Sequence, residues 1–311
     1  MGNNESIISD TSIELDTNSD IYGSGRNIYY LNRYNLVPSY PNDTYEIIDD
    51  KFFNNGSNKD IPDYMDLRKT FPSIIDVKTL PFNPIACIAY LLEYSLLKNG
   101  LNVFPPSLMF IYQHCNFFKG INNLTSFETI FKSIRSKGFC IETEFRTVPS
   151  NLSGVSISED LYEKAIAYKF IKVYKVLNDL KIIKRLLSND QPILVGFSIY
   201  SKITRIGDKL LLPDNSNQNN LGGMGGVLVG YIHDRKMFIM AQTYGTNFGQ
   251  NGYILVPYEY ILNKNLTFEM YVLKIEKGRV DGYLNQNKPV MSLSDNDDNK
   301  SEGGFLSNLF S

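Results

Sequence analysis

Few side chains in this sequence can do nucleophilic or proton-transfer chemistry. Among 311 residues there are three cysteines, Cys87, Cys115 and Cys140, and two histidines, His114 and His233. A thiol attacks as thiolate, which needs a neighbouring imidazole, cation or helix N-terminus, so any thiol–imidazole mechanism must draw on these five. The cysteine spacings fit no zinc motif, and an odd number of thiols behind an opening (MGNNESIISD) without a positive n-region or apolar h-region reads as a reduced, unsecreted chain. Cys87 lies inside an apolar run and reads as core. His114 and Cys115 are sequence neighbours and would diverge by about 100° on a helix, so they do not form a dyad. His233 precedes the turn residues Asp234-Arg235 and is expected at the surface. Gly222-Gly223-Met224-Gly225-Gly226 lacks the Lys-Ser/Thr end of a phosphate loop and is expected to form a tight turn feeding a strand. Met1-Gly2-Asn3-Asn4-Glu5-Ser6 fits the pattern for myristoylation at Gly2. The alternative is a plain polar tail, and one acyl chain without a basic patch anchors only weakly.

The elements that must position these groups fall into two textures. Ile85–Lys98 is apolar on most sides and free of Gly and Pro, the pattern of a buried helix. Helices are also expected over Ser107–Phe117, Ser126–Lys137, Ser158–Tyr168 and Leu177–Ser188. After Gln191 short β-branched and aromatic runs separated by turn residues predict antiparallel strands at Ile193–Tyr200, Lys209–Leu212, Gly226–His233, Lys236–Thr243, Gly252–Pro257 and Thr267–Ile275. A helical half followed by a β half is an α+β pattern. Residues 1–25 read as a disordered tail, 26–62 as an arm draped over the body, 63–150 and 151–279 as the two halves, and 280–311 as a second disordered tail. That last stretch carries the charged linker DNDDNKSEGG and an apolar end, FLSNLF. Net charge is −2 with Lys and Arg scattered, which argues against a nucleic-acid partner. No apolar run approaches the roughly 18 residues of a membrane span. Trp is absent while Tyr (21) and Phe (19) are abundant, a bias that follows A/T-rich codons.

Three segments, in order, resemble the papain-like C1 cysteine peptidases, whose core motifs run DQG-x-x-GSC-T-A, GGHAVL-x-VGY and NSWG-x-x-WG-x-x-GY. Here they are Asp76–Ile85 (DVKTLPFNPI), Gly222–Tyr231 (GGMGGVLVGY) and Gln242–Tyr253 (QTYGTNFGQNGY). DYMDLRKTFPSIID, FPPSLMFIYQ and SFETIFKSIRSKGFCIE resemble the family's flanking stretches, so the likeness covers about residues 63–276. It implies a papain-like fold, helical half against β half, with a cleft between them.

The resemblance also places the family's chemistry on residues that cannot perform it. The nucleophilic Cys falls on Asn83, the general-base His on Met224, the orienting Asn on Gln242 and the oxyanion-hole Gln on Val77. An amide is a poor nucleophile, a thioether moves no proton near neutral pH, and Val77 offers a developing oxyanion no side-chain donor. The resemblance therefore implies a pseudo-peptidase with no intact catalytic set, cofactor or metal. Asn83-Pro84 would open the central helix, with Asn83 as its cap. Two alternatives stand beside this: an active peptidase with its nucleophile relocated to Cys87 or Cys140, and a module binding a peptide or inhibitor in the cleft. The A/T-rich composition and altered motifs resemble peptidase C1-like proteins of large DNA viruses infecting amoebae, which implies a place in the virion or host cytoplasm.

Overall fold

The computed structural model describes residues 34–39, 45–53, 60–78, 80–100, 105–115, 124–148, 152, 155–200, 205–206, 209–210, 220–276 and 279. Both tails, and Gly2 with them, lie outside the described residues.

The helical half is built on α1 (Asn83–Lys98), most of whose residues are buried, as a sequence apolar on most sides requires. Beside it lie α2 (Leu108–His114) and α3 (Phe127–Lys137). Two further helices, α4 (Glu159–Ile166) and α5 (Leu180–Ser188), accompany the β half. Four of these five open on a local cap: Ser107, Ser126, Ser158 and Asp179 each accept the backbone N–H three residues on. α1 alone among them has no side-chain cap.

The described strands are β1 (Glu46–Ile48), β2 (Tyr64–Asp66), β3 (Ile171–Val176), β4 (Ile193–Tyr200), β5 (Arg205–Ile206), β6 (Lys209–Leu210), β7 (Asn220–Ile232), β8 (Met237–Ala241), β9 (Tyr253–Pro257) and β10 (Thr267–Ile275). They form one sheet in the order β1-β3-β10-β4-β7-β8-β9-β6-β5, with β2 also paired to β7. Pairing is antiparallel except β1 with β3 and β6 with β9. A short helix, α6 (Tyr258–Leu262), follows β9. α1 packs on β7 and β10, so one continuous core runs through both halves.

Several expectations are corrected. β7 begins at Asn220, not Gly226: the glycine-rich stretch is ladder, with Gly225 opposite Gly196 and Gly223 opposite Ser198, rather than a turn. α5 starts at Leu180 because Asp179 caps it. β3 and α6 were not expected from sequence; IKVYKV is short and mixes charged with buried residues between two helices. Among the described residues, no helix is long and apolar enough to cross a membrane.

Candidate active site

The first turn of α1 meets β7 across the junction of the halves. Asn83 lies there, 1% exposed. Its Oδ1 accepts the Gly225 N–H at 2.7 Å, and its Nδ2 donates to the Gly225 carbonyl at 3.2 Å and to Thr243 Oγ1 at 3.0 Å. The expected helix cap is therefore not formed: Phe82 holds the N-cap position. A cap would use only the amide's acceptor, whereas the Gly225 backbone, 142 residues away, satisfies acceptor and donor together.

A second seam runs parallel to this one. The Val77 N–H donates to the Thr243 carbonyl at 2.9 Å and the Gly245 N–H to the Ile75 carbonyl at 3.1 Å. The Tyr90 hydroxyl accepts the Ile75 N–H at 2.7 Å and donates to the Gln242 carbonyl at 3.0 Å. The Val77 side chain itself is buried in the core.

Met224 follows Gly223 on β7 and is 6% exposed. Its Sδ accepts the Tyr244 hydroxyl at 3.1 Å. Gln242, fully buried, turns to Met240 instead, with Nε2 3.0 Å from that sulfur. Its Oε1 is buried and has no hydrogen-bond partner among the described residues. Tyr244 and Met224 thus meet, while Gln242 points along another strand.

The thiols are placed for packing. Cys87 is wholly buried beneath Asn83, and burial pushes its thiol far above the ordinary range. Burial pushes Cys115 and Cys140 up to about 12. His114 is held by Phe110 O and Tyr162 Oη, each 2.7 Å from a ring nitrogen, and burial lowers its pKa. His233 is half-buried rather than a surface imidazole, and its Nδ1 has no partner among the described residues. No hydrogen bond between an imidazole and a thiol is found among the described residues. Nor could any described group of three or more His, Cys, Asp or Glu side chains hold a metal ion.

Residues 34–39 lie across the junction. The Leu36 N–H donates to the Gly223 carbonyl (3.1 Å) and the Val37 N–H to the Thr125 carbonyl (2.8 Å), while Asn35 Nδ2 reaches the Pro81 carbonyl (3.0 Å). Ser39 continues to β10, its N–H on Glu269 Oε2 at 3.1 Å. Leu36 is 1% exposed. The approach depends on the glycine pair: a Cβ at Gly222 or Gly223 would collide with the Tyr34 or Leu36 carbonyl oxygen. This strap's contact with Gly223 and Pro81 was not legible in the sequence, whose only signal was aromatics scattered through an aperiodic arm.

No family model matches the chain. An uncharacterized peptidase C1-like protein of Acanthamoeba polyphaga mimivirus is 28% identical over 238 residues, 70% of this chain and 76% of that protein. Xylellain, a cysteine protease from Xylella fastidiosa, superposes with a TM-score of 0.69 over 78% of this chain and 96% of its own, at 22% identity. The chain has the papain-like fold. Digestive procathepsin L2 of Tenebrio molitor larvae shares it at 10% identity and a TM-score of 0.64, over 79% of this chain and 80% of that one. In this papain-like chain the Asn83–Gly225 contact joins the start of α1 to β7.

Proposed function

We propose that this is a catalytically silent, papain-like peptidase C1-like protein in which the family's reactive positions have become part of the structure. In this reading Asn83 stands at the nucleophile's position, Met224 at the general base's, Gln242 at the orienting amide's and Val77 at the oxyanion donor's. The observation that carries it is the Asn83 amide, bound by Gly225 and Thr243 and buried, with the buried Cys87 thiol 3.9 Å from its Nδ2. Neither alternative nucleophile is supported: Cys87 and Cys140 are buried, and burial disfavours both thiolates. An open peptide groove is disfavoured by the strap, whose Leu36 is buried against β7. A scaffold or binding component of a virus particle fits this silence and the mimivirus relative.

The test is incubation with general fluorogenic peptides and a thiol-reactive epoxide. No turnover and no covalent labelling are expected. Turnover abolished by Cys87→Ser or Cys140→Ser would overturn the reading. Asn83→Cys with Met224→His is expected to lower the melting temperature without restoring proteolysis, because Val77 still supplies no side-chain donor. Absence of the chain from purified particles, judged by mass spectrometry, would remove the virion role and leave the catalytic silence standing.

A further inference from the structure

Residues 34–39 are fastened to β7 through Leu36 and to β10 through Ser39. At the second point the Ser39 N–H donates to Glu269 Oε2 at 3.1 Å, and the Tyr271 hydroxyl donates to the same oxygen at 3.2 Å. Glu269 is 6% exposed, and its Oε1 is buried with no hydrogen-bond partner among the described residues. Both donors therefore meet one oxygen while the other has none. An ionised carboxylate spreads its charge over both oxygens, and burying the unpaired half is costly. A proton on Oε1 removes that charge and leaves Oε2 as the acceptor of both bonds. Burial accordingly raises the Glu269 carboxyl above its ordinary value of 4.5.

The surrounding charges do not cancel this cost. Lys175 on β3, opposite Tyr271 in the ladder, favours the carboxylate, but less than burial opposes it. On α3, Glu128 accepts the Tyr45 hydroxyl and pairs with Lys132 at 3.2 Å, while Arg135 Nη1 donates to the Tyr45 hydroxyl at 3.3 Å. That acid is matched within its own cluster. β4 sets Gly196 opposite Glu269 and carries no charged side chain. We infer that residues 34–39 are a proton-dependent latch, closed over Gly222 and Gly223 while Glu269 Oε1 carries a proton and looser once that proton has passed to water. Opening solvates Glu269, so the open form releases its proton near pH 4.5, whereas the closed form keeps it to higher pH. Closure is thus strongest below pH 4.5 and weakens as pH rises through the closed form's raised value. Loosening frees the Gly223 carbonyl, which the Leu36 N–H otherwise holds. The inference stands apart from catalytic silence: it uses none of Asn83, Met224, Gln242 and Val77, and its readout is not turnover.

Amide hydrogen exchange of the full-length chain tests this, read by mass spectrometry between about pH 4 and 8 and corrected for intrinsic exchange. Protection of the peptide containing Leu36 and Val37 should fall as pH rises past 4.5, by up to about tenfold per pH unit for one proton. Amides of residues 88–92 in α1 should stay protected. Glu269→Gln, a neutral isostere, should leave the strap protected and its protection flat with pH. Tyr271→Phe removes a donor that favours the carboxylate, so the fall should extend to higher pH. That variant decides the matter if Glu269→Gln does not fold. Strap protection independent of pH, or rising with it, would overturn the inference. So would a fall that survives Glu269→Gln, a window that Tyr271→Phe leaves in place, or strap and α1 amides that exchange together, which means global unfolding.

Discussion

Two buried amides near the same junction behave in opposite ways. Besides a long contact to the Cys87 sulfur one turn along α1, Asn83 makes three hydrogen bonds through its side chain to Gly225 and Thr243. Gln242, at the end of β8, leaves its Oε1 without a partner among the described residues and gives its Nε2 to a sulfur. The functional group is identical. What differs is whether a backbone presents both a donor and an acceptor at the right distance. Gly225 does so for Asn83, while the extra methylene of Gln242 carries its amide toward Met240. Residue type thus says little about what a buried polar group contributes; its partners decide the sign.

The largest expected effect tests the first amide. Asn83→Ala strands the Gly225 N–H and carbonyl and the Thr243 hydroxyl at a buried interface. A loss of about 2–4 kcal/mol is expected in urea unfolding, from buried groups left unpaired in a shared network. A change below half a kcal/mol would erase the contrast between the two amides. The second amide should respond in the other direction. Gln242→Leu removes an unsatisfied carbonyl of similar volume, so stability should hold or rise by about 1 kcal/mol. A clear drop in melting temperature would mean that Oε1 has a partner of its own.

The smallest effect concerns a half-buried polar group, Glu93, ten residues along α1 from Asn83. Burial raises the Glu93 carboxyl to about 7, from an ordinary value of 4.5. The folded chain therefore holds a proton that the unfolded chain has already released. This contribution to stability is fully present below pH 4.5 and is lost as pH rises toward 7. Glu93→Gln should flatten the fall in melting temperature across that window. An unchanged pH profile would show that the carboxyl is better solvated than its place on α1 implies. Burial shifts Glu269 the same way, so a residual slope is expected from β10.

Much of this was written locally. The run from Ile85 to Lys98 is apolar on most sides, the pattern of a buried helix, and each local cap residue, Ser107, Ser126, Ser158 and Asp179, lies next to the helix it opens. Three motifs in order were enough to expect the papain-like α+β fold. Less could be read where neighbours along the chain do not determine the outcome. IKVYKV became a strand because β10 pairs with it on one side and β1 on the other. Gly222 and Gly223 looked like turn residues, yet they sit in a ladder that makes room for Tyr34 and Leu36 nearly 190 residues earlier in the chain.

Asn83 marks the boundary between the two kinds of information. Its amino-acid type and the following Pro84 determined, by themselves, that a helix starts here and that no thiol occupies this position. Local preference then favoured a cap. Only the tertiary structure decided otherwise, because a helix-start N–H engages one lone pair while the Gly225 backbone engages both ends of the amide. Those partners come from β7, and nothing within a helical turn of Asn83 records how that strand will arrive.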